Sequence, residues 1–271
     1  MKHLGWKLTG LVILAVMAFA VAGFAMFRPA PDASAIPAPK VAPIASSPTP
    51  SASTTKTVAT IAPTLKTQGQ RFVLAVLGDS TGNGPDEWVR LTVDSIVEKT
   101  GRTASISTWN MDTAKYDMPE IVGSGTPDLI VYNGSASGKR PVYSSENLPV
   151  MLPEKADLVI INHGHNNATP VEARTQIADL IAQVKAGASA DAAFALTLQN
   201  PRMDNAKDNA ALVVQGIRAQ AALFPDVTVI DANAAFTAAG ALPSLLLPDG
   251  LHPSPEGSKI WAQTVLKALS F

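Results

Sequence analysis

Short apolar runs recur along most of this chain, and each is halted by a cluster of small or polar residues. The runs at 72–77, 129–133, 157–162, 193–198 and 227–231 are too short, and too rich in Val, Ile and Leu, to be helices of their own. Between them lie segments with helical spacing. Residues 85–100 place Val89, Val93, Ile96 and Val97 on one face before Gly101 stops the pattern, and residues 170–186 do the same with Ile177, Leu180, Ile181 and Val184. Val213, Val214, Ile217 and Phe224 mark another helix, and Ile260, Trp261 and Val265 the last, over 255–269. Residues 103–108 alternate and read as a further strand, whereas 109–127 have no period and read as irregular. Strands alternating with helices predict an α/β fold, with a mostly parallel sheet covered on both faces and joined by right-handed crossovers. About 200 residues suits one such domain.

The breaks carry more information than the runs. FVLAVLGDSTG, at 72–82, ends a core strand in Gly78-Asp79-Ser80. The run at 129–133 ends in Gly134-Ser135-Ala136-Ser137-Gly138, and the run at 157–162 in His163-Gly164-His165-Asn166-Asn167. Parallel strands put their C-terminal ends along one edge, which is where open α/β sheets bind ligands. Alone, Asp79 and Ser80 would be turn and cap residues. The loop before the last helix adds Asp249-Gly250-Leu251-His252, with one of only four histidines three positions after a carboxylate. That spacing lets Asp249 reach the Nδ1 proton of His252 and leaves Nε2 free as a base for Ser80. A rival chemistry would use His163, His165, Asp249 and His252 as metal ligands, but it leaves Ser80 and Gly138 without a role.

Gly-Asp-Ser, a Gly-containing loop ending at Gly138, Gly-His-Asn-Asn and Asp-x-x-His, in that order, resemble the four blocks of the SGNH hydrolases, also called GDSL esterases and lipases. The resemblance runs from about Phe72 to the C-terminus. It implies a three-layer α/β/α fold with a mostly parallel, flavodoxin-like sheet. Ser80 would be the nucleophile, His252 the base and Asp249 its orienting carboxylate. The oxyanion hole would comprise the Ser80 and Gly138 backbone N–H groups and the Asn166 side-chain amide. His165, Asn167 and Trp88 are expected to line the substrate cleft, and no metal or cofactor is implied. Two residues depart from the family pattern: Thr81 stands for the usual leucine, and Asn167 for the usual aspartate.

The N-terminal quarter differs in composition. Residues 8–27 are uncharged, flanked by Lys2, Lys7 and Arg28, and about 30 Å long as a helix, enough to cross a bilayer core. Residues 1–28 therefore read as a membrane anchor with the lysines inside, or as a signal segment if cleaved. Residues 29–67, rich in Pro, Ala, Ser and Thr, read as an extended spacer, and residues 68–271 as the hydrolase domain. The expected location is the cell membrane, with the domain outside the cytoplasm. The chain has no cysteine and a net charge of −1 without any basic run, which excludes disulfides and argues against nucleic acid as a partner. The expected substrate is a small-molecule or glycan ester, with short O-acetyl groups on envelope glycans favoured by the absence of a long apolar lid. O-acyl transfer through the same triad is the nearest alternative. A glycan-binding module without turnover is the other, with Trp88, Trp109, Tyr116 and Tyr143 available to stack on sugars.

Overall fold

The computed structural model describes residues 56–187 and 189–271. The expected anchor and residues 29–55 of the expected spacer lie outside those residues. Among the described residues no helix is long and apolar enough to cross a membrane.

Eight strands form one sheet: β1 (Phe72–Gly78), β2 (Ala104–Asn110), β3 (Lys115–Tyr116), β4 (Glu120–Val122), β5 (Leu129–Ser135), β6 (Leu158–Asn162), β7 (Ala193–Leu198) and β8 (Val227–Asp231). Its parallel part runs β2-β5-β1-β6-β7-β8. β3 and β4 pair antiparallel with the outer edge of β2. These two fall where an irregular segment was expected; strands of two and three residues are too short to show a period of two. Helices α1 (Val58–Lys66), α2 (Trp88–Thr100), α7 (Ala232–Ala239), α8 (Leu242–Leu245) and α9 (Pro255–Ala268) cover one face. The other carries α3 (Pro141–Glu146), α4 (Leu148–Met151), α5 (Pro170–Ala186) and α6 (Lys207–Ala221). The architecture is the expected three-layer α/β/α.

β1 explains itself. All seven residues are buried, with Phe72, Leu74 and Val76 packed into one layer and Val73, Ala75 and Leu77 into the other. A strand covered on both sides has no polar face, so its sequence reads as a continuous apolar run. The chain leaves β1 toward β2 and β5 on one side and later returns to β6 on the other. The sheet thus reverses its winding at β1, and the crevice at that reversal opens at the C-terminal ends of β1, β5 and β6.

The folded domain begins earlier than residue 68. Within the expected spacer, Thr57 caps α1 with a reciprocal capping box, and Val58, Ile61 and Leu65 enter the core. Their spacing of three and four was masked by the surrounding threonine and proline. Arg102, 1% exposed, fastens this helix. Its guanidinium donates to the carbonyls of Thr64 (2.7 Å), Leu65 (2.8 Å), Thr67 (2.6 Å), Gln70 (2.8 Å) and Asp128 (3.0 Å), and lies 3.3 Å from the Asp128 carboxylate. Three of these carbonyls belong to the last turn and C-cap of α1, the end that a cation stabilises.

Candidate active site

Ser80 follows β1 on a loop braced by its neighbours. A Cβ on Gly78 would stand 3.1 Å from the Asn162 carbonyl and 3.2 Å from the Ser135 hydroxyl, so glycine allows three strand ends to meet there. Asp79 is fully buried. Its carboxylate accepts from the Thr81 N–H (3.2 Å), the Thr81 hydroxyl (2.8 Å) and the Gln199 amide (2.9 Å). Asn162 Nδ2 donates to Thr81 Oγ1 at 2.9 Å, and Thr197 donates to Asn162 Oδ1. Asn133 Nδ2 holds the Gly82 carbonyl at 2.8 Å. Ser80, half-buried, thus stands on a polar network whose members are otherwise sealed from water, and such a network is rigid only because it is satisfied. Thr81, which stands for the family's usual leucine, is one of its central members.

The second loop, before α9, is a closed turn. Leu247 N–H donates to the His252 carbonyl (2.8 Å), Gly250 N–H to Leu247 (2.9 Å), and Leu246 bridges Pro253. Asp249 Oδ1 accepts from the Leu251 and His252 backbone N–H groups at 2.9 and 3.0 Å, which aims Oδ2 at His252 Nδ1, 2.6 Å away. His252 Nε2 lies 2.8 Å from Ser80 Oγ. Desolvation would push the Asp249 carboxyl up, but the bonds from His252, Leu251 and the His252 backbone more than offset it and hold it below the usual carboxylate range. An ionised Asp249 takes the Nδ1 proton as its partner, leaving Nε2 as the acceptor for the serine hydroxyl.

The remaining expected residues divide. Gly138 has a φ of +70°, and a Cβ there would meet nothing within 4 Å; the left-handed turn, not crowding, calls for glycine. The N–H groups of Ser80 and Gly138 find no acceptor among the described residues. Asn166 Nδ2 donates to the Lys139 carbonyl at 3.1 Å, which fixes the amide with one of its two N–H bonds and leaves the other. Trp88 is not in a cleft. It is 1% exposed and stacked on Trp261, with ring centroids 5.6 Å apart, because its place at the start of α2 faces α9. Asn167 is buried too and donates to Gln176 at 3.1 Å, so it braces the loop against α5.

His165 is likewise buried rather than lining a cleft. Its N–H donates to Gln199 Oε1 (2.6 Å), and its Nε2 lies 3.1 Å from Asn200 Oδ1. Asn200 Nδ2 in turn holds the Leu251 carbonyl at 2.9 Å, beside His252. Gln199 and Asn200 therefore tie the serine loop to the histidine loop. Their one signal in the sequence is a pair of amides directly after a buried strand.

His163 points elsewhere, with Nε2 2.9 Å from Ser144 Oγ. The rival metal ligands are consequently not gathered, and among the described residues no cluster of three His, Asp or Glu side chains could hold an ion. Complete burial lowers the His163 pKa to about 4, only partly opposed by the Asp79 charge, and burial lowers His165 as well. Both rings stay neutral when folded but take up a proton at about pH 6.5 when unfolded. The unfolded state then binds more protons, so stability falls as pH drops from 6.5 toward 4. Denaturant titrations at several pH values should show this fall, and His163→Gln should flatten it by about one proton. An unchanged slope in that variant would place the acid sensitivity elsewhere.

The sequence model of the GDSL-like Lipase/Acylhydrolase family matches residues 94–260, a span that holds Gly138, Asn166, Asp249 and His252. The chain belongs to the GDSL-like lipase/acylhydrolase family. It is accordingly a serine hydrolase acting on ester bonds. No curated protein matches the chain. Among solved structures, a lipolytic protein of the G-D-S-L family from Veillonella parvula superposes with a TM-score of 0.52 at 16% identity, over 72% of this chain and 97% of the other. The lipase/acylhydrolase from Enterococcus faecalis gives 0.54 at 19% identity, over 73% and 94%. A two-domain esterase active on acetylated mannans gives 0.58 at 14% identity, over 79% of this chain but 52% of that one. At these identities the likeness is one of fold. The GDSL-like match begins beyond Ser80, so the nucleophile rests on its own geometry.

Proposed function

We propose that Ser80, His252 and Asp249 are the catalytic triad of an extracytoplasmic esterase that removes short acyl groups, chiefly O-acetyl, from cell-envelope glycans. One observation carries the catalytic part: the unbroken chain of contacts, 2.8 Å from Ser80 Oγ to His252 Nε2 and 2.6 Å from His252 Nδ1 to Asp249. His252 takes the hydroxyl proton as Ser80 attacks the ester carbonyl, and Asp249 stabilises the resulting imidazolium. The carbonyl oxygen becomes negative in the tetrahedral intermediate and receives the N–H groups of Ser80 and Gly138 and the free amide N–H of Asn166. The imidazolium protonates the departing alcohol. Water, activated by the same histidine, then releases the acid from Ser80.

The choice of substrate rests on different support. The apolar segment at 8–27 would tether the domain outside the membrane, among envelope polymers. A solved structure with this fold is described as active on acetylated mannans, and another as an acetyl-xylooligosaccharide esterase. A panel of chromogenic esters of rising acyl length, beside acetylated oligosaccharides, tests the reading. Acetate should be turned over fastest; a preference for long acyl chains would refute it. Asn166→Ala should lower kcat about 10²–10³-fold while KM changes little, because its bond strengthens as charge develops on oxygen. If KM alone rose, Asn166 would be a substrate-binding group and not an oxyanion donor.

A further inference from the structure

Beside the serine loop lies a small pocket of about 130 Å³ that the triad chemistry does not use. At about 30 Å³ per water molecule it has room for roughly four waters, or for a few hydroxyl-bearing atoms of a small ring. Asn83, Arg90, Thr108 and Glu120 line it with polar groups, and Val89 and Ile106 with apolar ones. The pocket adjoins the proposed chemistry through Asn83, three residues after Ser80. Asn83 Nδ2 donates to Ser137 Oγ at 2.9 Å, next to Gly138. Its rim is therefore the ridge that joins the nucleophile loop to an oxyanion loop.

The polar groups here have capacity to spare. Arg90 donates Nε to Asp94 (2.8 Å) and Nη1 to Glu120 (2.7 Å), which leaves Nη2. Glu120 keeps one oxygen, and the Thr108 hydroxyl and Asn83 Oδ1 bond to no protein group among the described residues. Donors and acceptors beside aliphatic groups suit the edge of a pyranose ring, which carries both hydroxyls and C–H groups. Charge narrows the class. The guanidinium is already matched by two carboxylates, and Glu87 sits close by with its carboxylate on the Gly84 N–H at 2.7 Å. An anionic ring would meet a net negative rim.

We infer that this pocket binds the hydroxyl-bearing edge of a neutral sugar ring of the glycan whose acyl group is cleaved at Ser80. The inference rests on the esterase reading above and adds the site and the charge class of the sugar. It also gives β4 a purpose, since that short strand brings Glu120 to Arg90.

The test uses the full chain in detergent with three substrates: p-nitrophenyl acetate, O-acetylated mannotetraose and an O-acetylated trigalacturonate. The wild type should favour the neutral oligosaccharide over the uronate. Thr108→Val and Glu120→Gln should each lower kcat/KM on acetylated mannotetraose at least tenfold more than on p-nitrophenyl acetate, chiefly through KM. Equal losses on both esters, no loss on either, or a preference for the uronate would overturn the pocket assignment while leaving the esterase reading standing. Should the wild type cleave p-nitrophenyl acetate but no acetylated oligosaccharide, the glycan reading fails instead. Calorimetric titration of unacetylated mannotetraose into the Ser80→Ala chain then decides the pocket: binding weakened tenfold by adding Thr108→Val supports it, and the absence of binding overturns it.

Discussion

Ser80→Ala should remove ester turnover, with a loss in kcat on the order of 10⁶-fold, while leaving the unfolding transition where it was. The size follows from what the hydroxyl does. It alone forms the acyl bond, and without it His252 has no proton to take and Asp249 no imidazolium to stabilise, so the three fail together. Residual hydrolysis would come from the N–H groups of Ser80 and Gly138 and from Asn166, which still polarise a bound carbonyl. Stability is spared because the loop is held by its neighbours. Asp79, Thr81 and Gln199 keep every bond they make, and among the described residues the one side chain bonded to the Ser80 hydroxyl is His252. Steady-state kinetics on a chromogenic acetate, beside a urea melt, measures both. Turnover within tenfold of wild type would remove Ser80 from the mechanism.

Arg102→Met should destabilise the domain by about 3–5 kcal/mol and leave kcat nearly unchanged. The guanidinium is sealed in the protein and donates to five backbone carbonyls. Hydrogen bonds to a charged group contribute about 1.5–3 kcal/mol each, but they are offset by the cost of burying that charge, which keeps the net below their sum. Methionine fills much of the space yet strands those carbonyls, three of them at the end of α1. The helix would loosen, uncovering the core around Val58, Ile61 and Leu65. That lies at the far end of β1 from Ser80, so chemistry should persist in whatever fraction stays folded. A loss of less than about 0.5 kcal/mol in the free energy from a urea melt would mean that α1 is dispensable. By the same logic, a chain cut at residue 68 should be markedly less stable than one that retains α1.

These two sites mark what the sequence disclosed and what it concealed. The break that carries the proposed nucleophile was legible because a buried parallel strand has to be apolar throughout, so Gly78-Asp79-Ser80 stands out where the run ends. The Asp249–His252 pair was legible because its two members lie three residues apart in one turn. α1 was hidden by composition: a nine-residue helix containing a proline and two threonines, with a threonine at each cap, resembles its spacer until the core it covers is seen. Trp88, His165 and Asn167 misled for another reason. Their neighbourhood in sequence is the proposed catalytic edge, but the side chain of Trp88 turns into the α2–α9 layer, and His165 and Asn167 turn inward to Asn200 and Gln176. Gln199 and Asn200 lie far along the chain from both loops that they join, and no local pattern announces such a bridge.

The proposed chemistry depends on which serine is made nucleophilic. A second buried Ser–His pair, Ser144 and His163, lies at 2.9 Å, so geometry of one contact does not by itself choose. The direct measurement is to treat the full chain with a fluorophosphonate and locate the adduct by peptide mass spectrometry, with His252→Ala as control. The expected result is a single adduct on Ser80, formed in step with the loss of activity and absent from the control. An adduct on Ser144, or complete inactivation with Ser80 unmodified, would contradict it.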